Sequence, residues 1–96
     1  MVPPDFRAAY LANPGPRYPV ASRRRREQGV VLLKVRVTAE GSPEQVVIER
    51  SSGFADLDNA AASVVKERWK FVPARQGEAT VSAWVVVPLE FVLKDR

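Results

Sequence analysis

The feature that most constrains this chain is a long alternating segment near its carboxyl end, over residues 80–94. Apolar side chains occupy every second position from Val81 to Leu93, and the positions between them include Trp84 and Pro88. A period of two predicts a β-strand with one inner face. Proline lacks the N–H that a central strand uses, so Pro88 places this strand at the edge of a sheet.

The middle of the chain predicts a hairpin followed by a helix. Apolar and polar residues alternate over residues 30–39, a turn follows at residues 40–43, and a second strand covers residues 45–50. Apolar residues then recur at helical spacing over residues 56–70, and Pro73 ends that helix. Gly77 marks a loop before the last strand.

The amino-terminal third is rich in proline and arginine, and it predicts an arm with short helices. Asp5 is expected to cap a helix over residues 5–12, which ends before Pro14. Residues 20–28 predict a short basic helix that stops at Gly29. The element order predicts an α+β fold, with a three-stranded antiparallel sheet, two helices packed on one face, and a short amino-terminal helical arm.

The composition argues against most enzyme classes. The chain contains no histidine and no cysteine, so the usual general base and the commonest zinc ligands are missing. Asp56 and Asp58 form the one carboxylate pair considered as catalytic. Their position in the first turn of a helix favours the alternative that they complement the helix dipole. We therefore predict no enzyme activity, no catalytic residue, no metal site and no cofactor.

A run of four arginines is the strongest charge feature. The net charge of +4 lies within residues 1–29, because basic and acidic residues balance over residues 30–96. The run, Arg23, Arg24, Arg25 and Arg26, is expected to face solvent or to steer the protein toward an acidic protein partner. Phosphate binding to nucleic acid is the alternative, but no aromatic stripe accompanies the arginines.

The predicted edge strand is itself a candidate binding site. Its outward residues Trp84, Val86 and Val92 are unusually apolar for a solvated face. A long apolar edge is a template on which an extended peptide can add as a further strand. Two alternatives remain at this stage: these side chains pack under the amino-terminal arm, or they form a dimer contact.

Several short motifs in a fixed order resemble one known family. They are Tyr10-Leu11-Ala12-Asn13-Pro14-Gly15-Pro16-Arg17-Tyr18-Pro19, Ser51-Ser52-Gly53, Trp69-Lys70-Phe71-Val72-Pro73-Ala74 and Trp84-Val85-Val86-Val87-Pro88-Leu89-Glu90-Phe91. Together they resemble the carboxy-terminal domain of TonB, an energy transducer, over nearly the whole chain. The resemblance implies that residues 1–17 are the end of a periplasmic spacer and the amino-terminal arm, and that residues 18–96 form the domain.

The family resemblance also implies a function. The full-length protein would lie in the periplasm, anchored to the inner membrane, and would take energy from the proton-motive force through ExbB and ExbD. Its carboxy-terminal domain would bind the TonB box of outer-membrane transporters for siderophores, haem or cobalamin, near the transporter plug. A homodimer through the same edge strand is a further expectation, and nucleic acid is not an expected partner.

The family assigns the partner contact to the last strand and to the Pro-x-Tyr-Pro element. The expected partner-binding residues are Pro16, Arg17, Tyr18, Pro19, Ser82, Ala83, Trp84, Val85, Val86, Val87, Pro88, Leu89, Glu90 and Phe91. Two rival functions stay open at this point. One is a TolA-like or secretion-dedicated domain that links the two membranes, and the more distant one is a basic nucleic-acid-binding domain.

Overall fold

A computed structural model describes residues 1–8 and 11–94 of the chain and shows an α+β architecture. The elements are α1 (Val20–Arg24), β1 (Gly29–Val37), β2 (Pro43–Arg50), α2 (Ala55–Arg68), β3 (Ala74–Gln76), β4 (Ala79–Val81) and β5 (Ala83–Phe91). The main sheet is antiparallel, with strand order β2-β1-β5, and β3 pairs with β4 in a small second sheet. The predicted fold class is confirmed.

The core lies on one face of the main sheet. Every second residue of the central strand β1 is fully buried, namely Val31, Leu33, Val35 and Val37. The apolar face of α2, with Leu57, Ala61 and Val65, packs into the same cluster, and β5 adds Val87, Leu89 and Phe91. The opposite face of the sheet carries residues such as Lys34, Val47 and Val86, which are exposed.

The predicted last strand is two strands. Gly77 adopts a left-handed conformation with φ of 64°, and the chain reverses there so that β4 pairs with β3. After Ser82 the chain changes partner, and β5 pairs with β1. The single strand predicted over residues 80–94 is therefore wrong, because a period of two does not record a change of pairing partner.

The basic helix is shorter than its sequence predicts. It was expected to stop at Gly29 but ends at Arg24, and the residue with a positive φ after it is Arg26, with φ of 58°. Gly29 is instead the first residue of β1. A side chain at Gly29 would come within about 3.0 Å of the Ser52 carbonyl oxygen, so close packing explains this glycine.

The expected helix at Asp5 is also not observed among the described residues. Asp5 pairs with Val72 through two backbone hydrogen bonds of 2.9 and 2.8 Å, and its carboxylate accepts from the N–H of Arg7. The N–H of Leu11 bonds to the carbonyl of Ala8 at 3.0 Å, while residues 9 and 10, which the expected helix included, lie outside the described residues. The arm gains its order from pairing with residues 72–75, not from helical propensity.

Side-chain contacts fix the rest of the arm to the domain. The Asn13 amide donates to the carbonyl of Lys70 at 2.8 Å and accepts from the Lys70 N–H at 2.8 Å. The Trp69 indole N–H donates to the Pro14 carbonyl at 2.6 Å, and the Phe6 ring stacks on Trp69 with centroids 5.8 Å apart. The arm therefore covers the region around Trp69, away from the outward face of β5.

A buried carboxylate holds the connection between β2 and α2. Asp58 is 6% exposed and accepts hydrogen bonds from the Ser51 hydroxyl, the Ser52 hydroxyl and the Ser52 N–H. Burial acts to raise the pKa of Asp58, but these hydrogen bonds outweigh it and hold the pKa below its usual value. The Asp58 side chain therefore bonds to the loop before α2, through Ser51 and Ser52, in addition to lying in the first helical turn, where it was expected to complement the helix dipole.

Replacing Asp58 by asparagine tests this network. Asp58→Asn puts a donor where acceptors are needed, so the free energy of unfolding at pH 7 should fall by about 1–3 kcal/mol. Because the folded pKa lies below the unfolded one, Asp58 stabilises the fold at neutral pH and loses that contribution as pH falls below about 4. Urea unfolding at pH 7 and in acid measures both effects.

Asp56 supplies the matched control for this experiment. It lies in the same helical turn, but its side chain is half exposed and pairs with Arg25 at 3.3 Å. Asp56→Asn should change the stability by less than about 1 kcal/mol. Equal losses for the two variants, or a difference at Asp58 that persists in acid, would contradict the role given to the Asp58 carboxylate.

Candidate functional site

The free edge of β5 presents backbone groups that no strand of the described chain pairs. In an antiparallel ladder, alternate residues turn their N–H and C=O groups to opposite sides of the strand. Pro88 stands opposite Leu32 in the ladder, and a proline fits where its nitrogen faces away from the partner strand. Residues in phase with Pro88 therefore turn their backbone groups outward: Trp84, Val86 and Glu90.

The β1–β2 hairpin supports this phase independently. The N–H of Thr38 bonds to the carbonyl of Ser42, so Thr38 turns its N–H toward β2. Lys34 and Arg36 share the phase of Thr38 and also turn toward β2, which leaves Val35 and Val37 to bond with β5. Their partners in β5 are Val85 and Ala83. The residues between those partners must then face the free edge.

The side chains beside this edge follow the same alternation. Trp84 and Val86 lie on the open face of the sheet and are 38% and 49% exposed. Val87, Leu89 and Phe91 lie on the core face and are buried. A segment that added beside β5 would therefore find an apolar row on the open face and the rim of the core on the other.

Two cations accompany the tryptophan of the open face. Lys34 Nζ lies 5.3 Å from the centroid of the Trp84 ring, and Arg36 Cζ lies 5.9 Å from it. Arg36 Nε also lies 3.4 Å from a carboxylate oxygen of Glu44. The prediction of site residues missed Lys34 and Arg36, although these two residues alternate in β1 with the buried Leu33, Val35 and Val37 and therefore lie on the same face as Trp84.

The Pro-x-Tyr-Pro element lies at the other end of β5. The Tyr18 ring packs edge-on against Phe91 with centroids 5.3 Å apart, and its hydroxyl donates to the carbonyl of Glu27. Arg17 is exposed and lies elsewhere, in a groove of about 270 Å³ between the arm and α2. The structure brings Tyr18 to the strand but does not bring Arg17 there.

The arginine run divides into residues with different surroundings. Arg25 pairs with Glu27 at 2.7 Å and with Asp56 at 3.3 Å, and the hydrogen bond to Glu27 raises the pKa of Arg25. The same hydrogen bond lowers the pKa of Glu27. Arg23 lies over the Tyr18 ring at 5.7 Å. Arg24, the last residue of α1, is exposed.

The candidate acid pair and the possible metal ligands can be placed in the described part of the chain. Asp56 and Asp58 differ in environment, since one is paired at the surface and the other is buried against two serines. Over residues 1–8 and 11–94, no group of three or more histidine, cysteine, aspartate or glutamate side chains could hold a metal ion. Within the same ranges, the helices are too short or too polar to span a bilayer.

Comparison with known proteins identifies relatives over most of the chain. The family described as "Gram-negative bacterial TonB protein C-terminal" matches residues 14–93. Protein tonB2 of Pseudomonas aeruginosa is 48% identical over 90 residues, which cover 94% of this chain and 33% of the relative. Protein TonB of Neisseria meningitidis serogroup B is 40% identical over 82 residues, which cover 83% of this chain and 26% of the relative. The chain thus spans about a third or less of these two relatives.

Proposed function

This chain belongs to the TonB carboxy-terminal domain family, and from that premise we propose that it binds the TonB box of outer-membrane transporters by β-strand addition. The observation that carries the proposal is the free edge of β5. There the outward backbone groups of Trp84, Val86, Pro88 and Glu90 lie beside an apolar row of side chains. An extended segment gains affinity from such an edge through main-chain hydrogen bonds and gains specificity from alternate side chains.

The expected affinity is modest. Trp84, Val86 and Glu90 each offer an N–H and a C=O, and Pro88 offers a C=O alone. Each new hydrogen bond contributes a net binding free energy of about 0.5 to 1.5 kcal/mol. The entropy that the segment loses on becoming ordered offsets part of this free energy. We expect a roughly micromolar dissociation constant, with side-chain contacts on the open face adding to the backbone hydrogen bonds. Weak binding of this kind suits a domain that must release its partner after each cycle.

The arrangement of the strands suits the transmission of force. A segment added beside β5 and pulled along its length would load its hydrogen bonds together, because the bonds lie across the direction of pull. β5 would pass that load to β1 through a ladder that runs from Gly29 opposite Phe91 to Val37 opposite Ala83. β1 is in turn anchored by its fully buried valines and Leu33.

For the whole protein we propose the role that the family implies. An inner-membrane anchor would couple ExbB and ExbD to this domain in the periplasm, and the energy of the proton-motive force would serve uptake of siderophores, haem or cobalamin. The domain would contribute binding and no catalysis. Pairing of two copies through β5 is the competing use of the same backbone groups, and it would be favoured at high protein concentration.

Backbone methylation of a transporter peptide tests strand addition directly. Isotope-labelled domain is titrated with a synthetic TonB-box peptide, and the amide signals that shift should come chiefly from residues 82–91. Each peptide position is then N-methylated in turn. Because alternate N–H groups face β5, methylation should weaken binding about threefold to tenfold at every second position and little between them.

The pattern of losses decides the outcome of that titration. A period of two along the peptide supports a strand, whereas losses at consecutive positions would indicate a helix, in which every interior N–H is hydrogen-bonded. Shifts confined to β2 would place the partner at the opposite edge of the sheet and would contradict the proposed site. The titration is carried out at low protein concentration, and light scattering confirms that the domain is monomeric, so that pairing of two copies through β5 does not cause the amide shifts.

Variants of Arg24 and Arg25 can distinguish electrostatic steering of a partner from a structural role of the arginine run. We propose that Arg23, Arg24, Arg25 and Arg26 together attract an acidic transporter plug, with Arg24 free to act because it is exposed. Arg24→Gln should slow association and reduce its dependence on salt while leaving the melting temperature unchanged. Arg25→Gln should instead lower the melting temperature, because Arg25 joins Glu27 to Asp56.

Stopped-flow association and thermal unfolding of both variants check this prediction. A melting temperature that falls equally for both variants would show that the run is structural throughout. An unchanged association rate for Arg24→Gln at low salt would remove Arg24 from the steering role.

A further inference from the structure

We propose that Lys34, on the open face of the sheet, is a specificity-determining residue that pairs with a carboxylate side chain of the added segment. The proposal rests on the proposed function, since it presupposes a strand beside β5. The inference specifies the residue at one position of the added strand. That residue is an aspartate or glutamate whose side chain lies over the open face near Trp84.

The ladder places Lys34 close to the free edge. Lys34 stands opposite Val86, and Arg36 stands opposite Trp84, so both cations flank the tryptophan on the same face. Lys34 Nζ lies 5.3 Å from the centroid of the Trp84 ring. The indole gives the Lys34 side chain an apolar surface to lie on, and the attraction between its ammonium and the ring face helps to hold it there.

Lys34 takes part in no ion pair among the described residues. Arg36 is partly neutralised by Glu44, whose carboxylate oxygen lies 3.4 Å from Arg36 Nε. Glu90, the acid of β5 with the same outward phase, stands opposite Val30 at the far end of the ladder. Two cations, Lys34 and Arg36, therefore lie near Trp84, and Glu44 pairs with Arg36 alone.

An added strand brings a side chain within reach of this charge. The strand would lie about 4.8 Å beyond β5 and about 10 Å from β1. Its residue opposite Trp84 or Val86 would point to the open face, where long side chains contact directly opposite and diagonal neighbours. A glutamate leaning over the indole and a lysine leaning from β1 approach each other across β5. The apolar ring beneath them limits the water around the pair, which strengthens their attraction.

A charge scan of the peptide tests the pairing. In the TonB-box peptide that binds in the titration above, each position receives glutamate and, in a matched peptide, glutamine. At one open-face position glutamate should bind about twofold to fivefold more tightly than glutamine, and added salt should reduce that ratio. The ratio should fall to one for Lys34→Met, which keeps an unbranched apolar stem but removes the ammonium group, and Lys34→Arg should restore it.

Lys66 supplies the control, because it is an exposed lysine on α2 and lies outside the open face. Lys66→Met should leave the glutamate-to-glutamine ratio unchanged. Binding that still shifts β5 amides, with a ratio unaffected by Lys34→Met, would overturn the inference and leave the proposed function standing. A preference for an aromatic residue at that position, with no gain from glutamate, would overturn it as well. A TonB-box peptide that does not bind at β5 would contradict both the inference about Lys34 and the proposed function.

Discussion

The ladder between β1 and β5 is the interaction on which the rest of the structure depends. It runs along the whole of both strands, from Gly29 opposite Phe91 to Val37 opposite Ala83. This pairing buries one side of β5 in the core, exposes the other, and fixes which backbone groups remain outward. Pro88 is consistent with this phase, because proline has no N–H to donate and would leave a carbonyl of β1 unpaired if its nitrogen faced β1.

The remaining elements hold this ladder and leave its outer edge open. α2 covers the core face of β1 and β2, and the arm pairs with residues 72–75 and packs on Trp69. Tyr18 packs against Phe91 at the end of β5. The arm, which could have covered Trp84 and Val86, lies on the Trp69 side instead. An uncovered edge of this kind is normally blunted, and here it is long and apolar, which fits a surface that receives another strand.

Periodicity predicted the parts of the fold that one residue pattern determines. The alternation in β1, the helical spacing in α2 and the edge position from Pro88 are all present in the structure. These local patterns do not predict which residues far apart in sequence pair with each other. Examples of such contacts are the pairing of Asp5 with Val72 and the hydrogen bonds of Asn13 to Lys70, and the change of pairing partner at Ser82 likewise depends on where distant strands lie.

The same limit applied to the candidate site. The alternation singled out Trp84 and Val86 on the last strand, and the structure places them at an open edge. Lys34 and Arg36 were overlooked because their role depends on the register of β1 against β5, which sets them beside Trp84. The arginine run looked uniform in sequence, yet in the fold Arg25 is an ion-pair partner and Arg24 is exposed.

Amide hydrogen exchange along β5 tests the central claim most directly. In the free monomer, the amides of Ala83, Val85, Val87, Leu89 and Phe91 should exchange slowly, because they bond to β1. Those of Trp84, Val86 and Glu90 should exchange rapidly and should become protected when a TonB-box peptide is added. Protection of the outward amides in the free monomer, or peptide-induced protection that falls on β2 alone, would contradict the account.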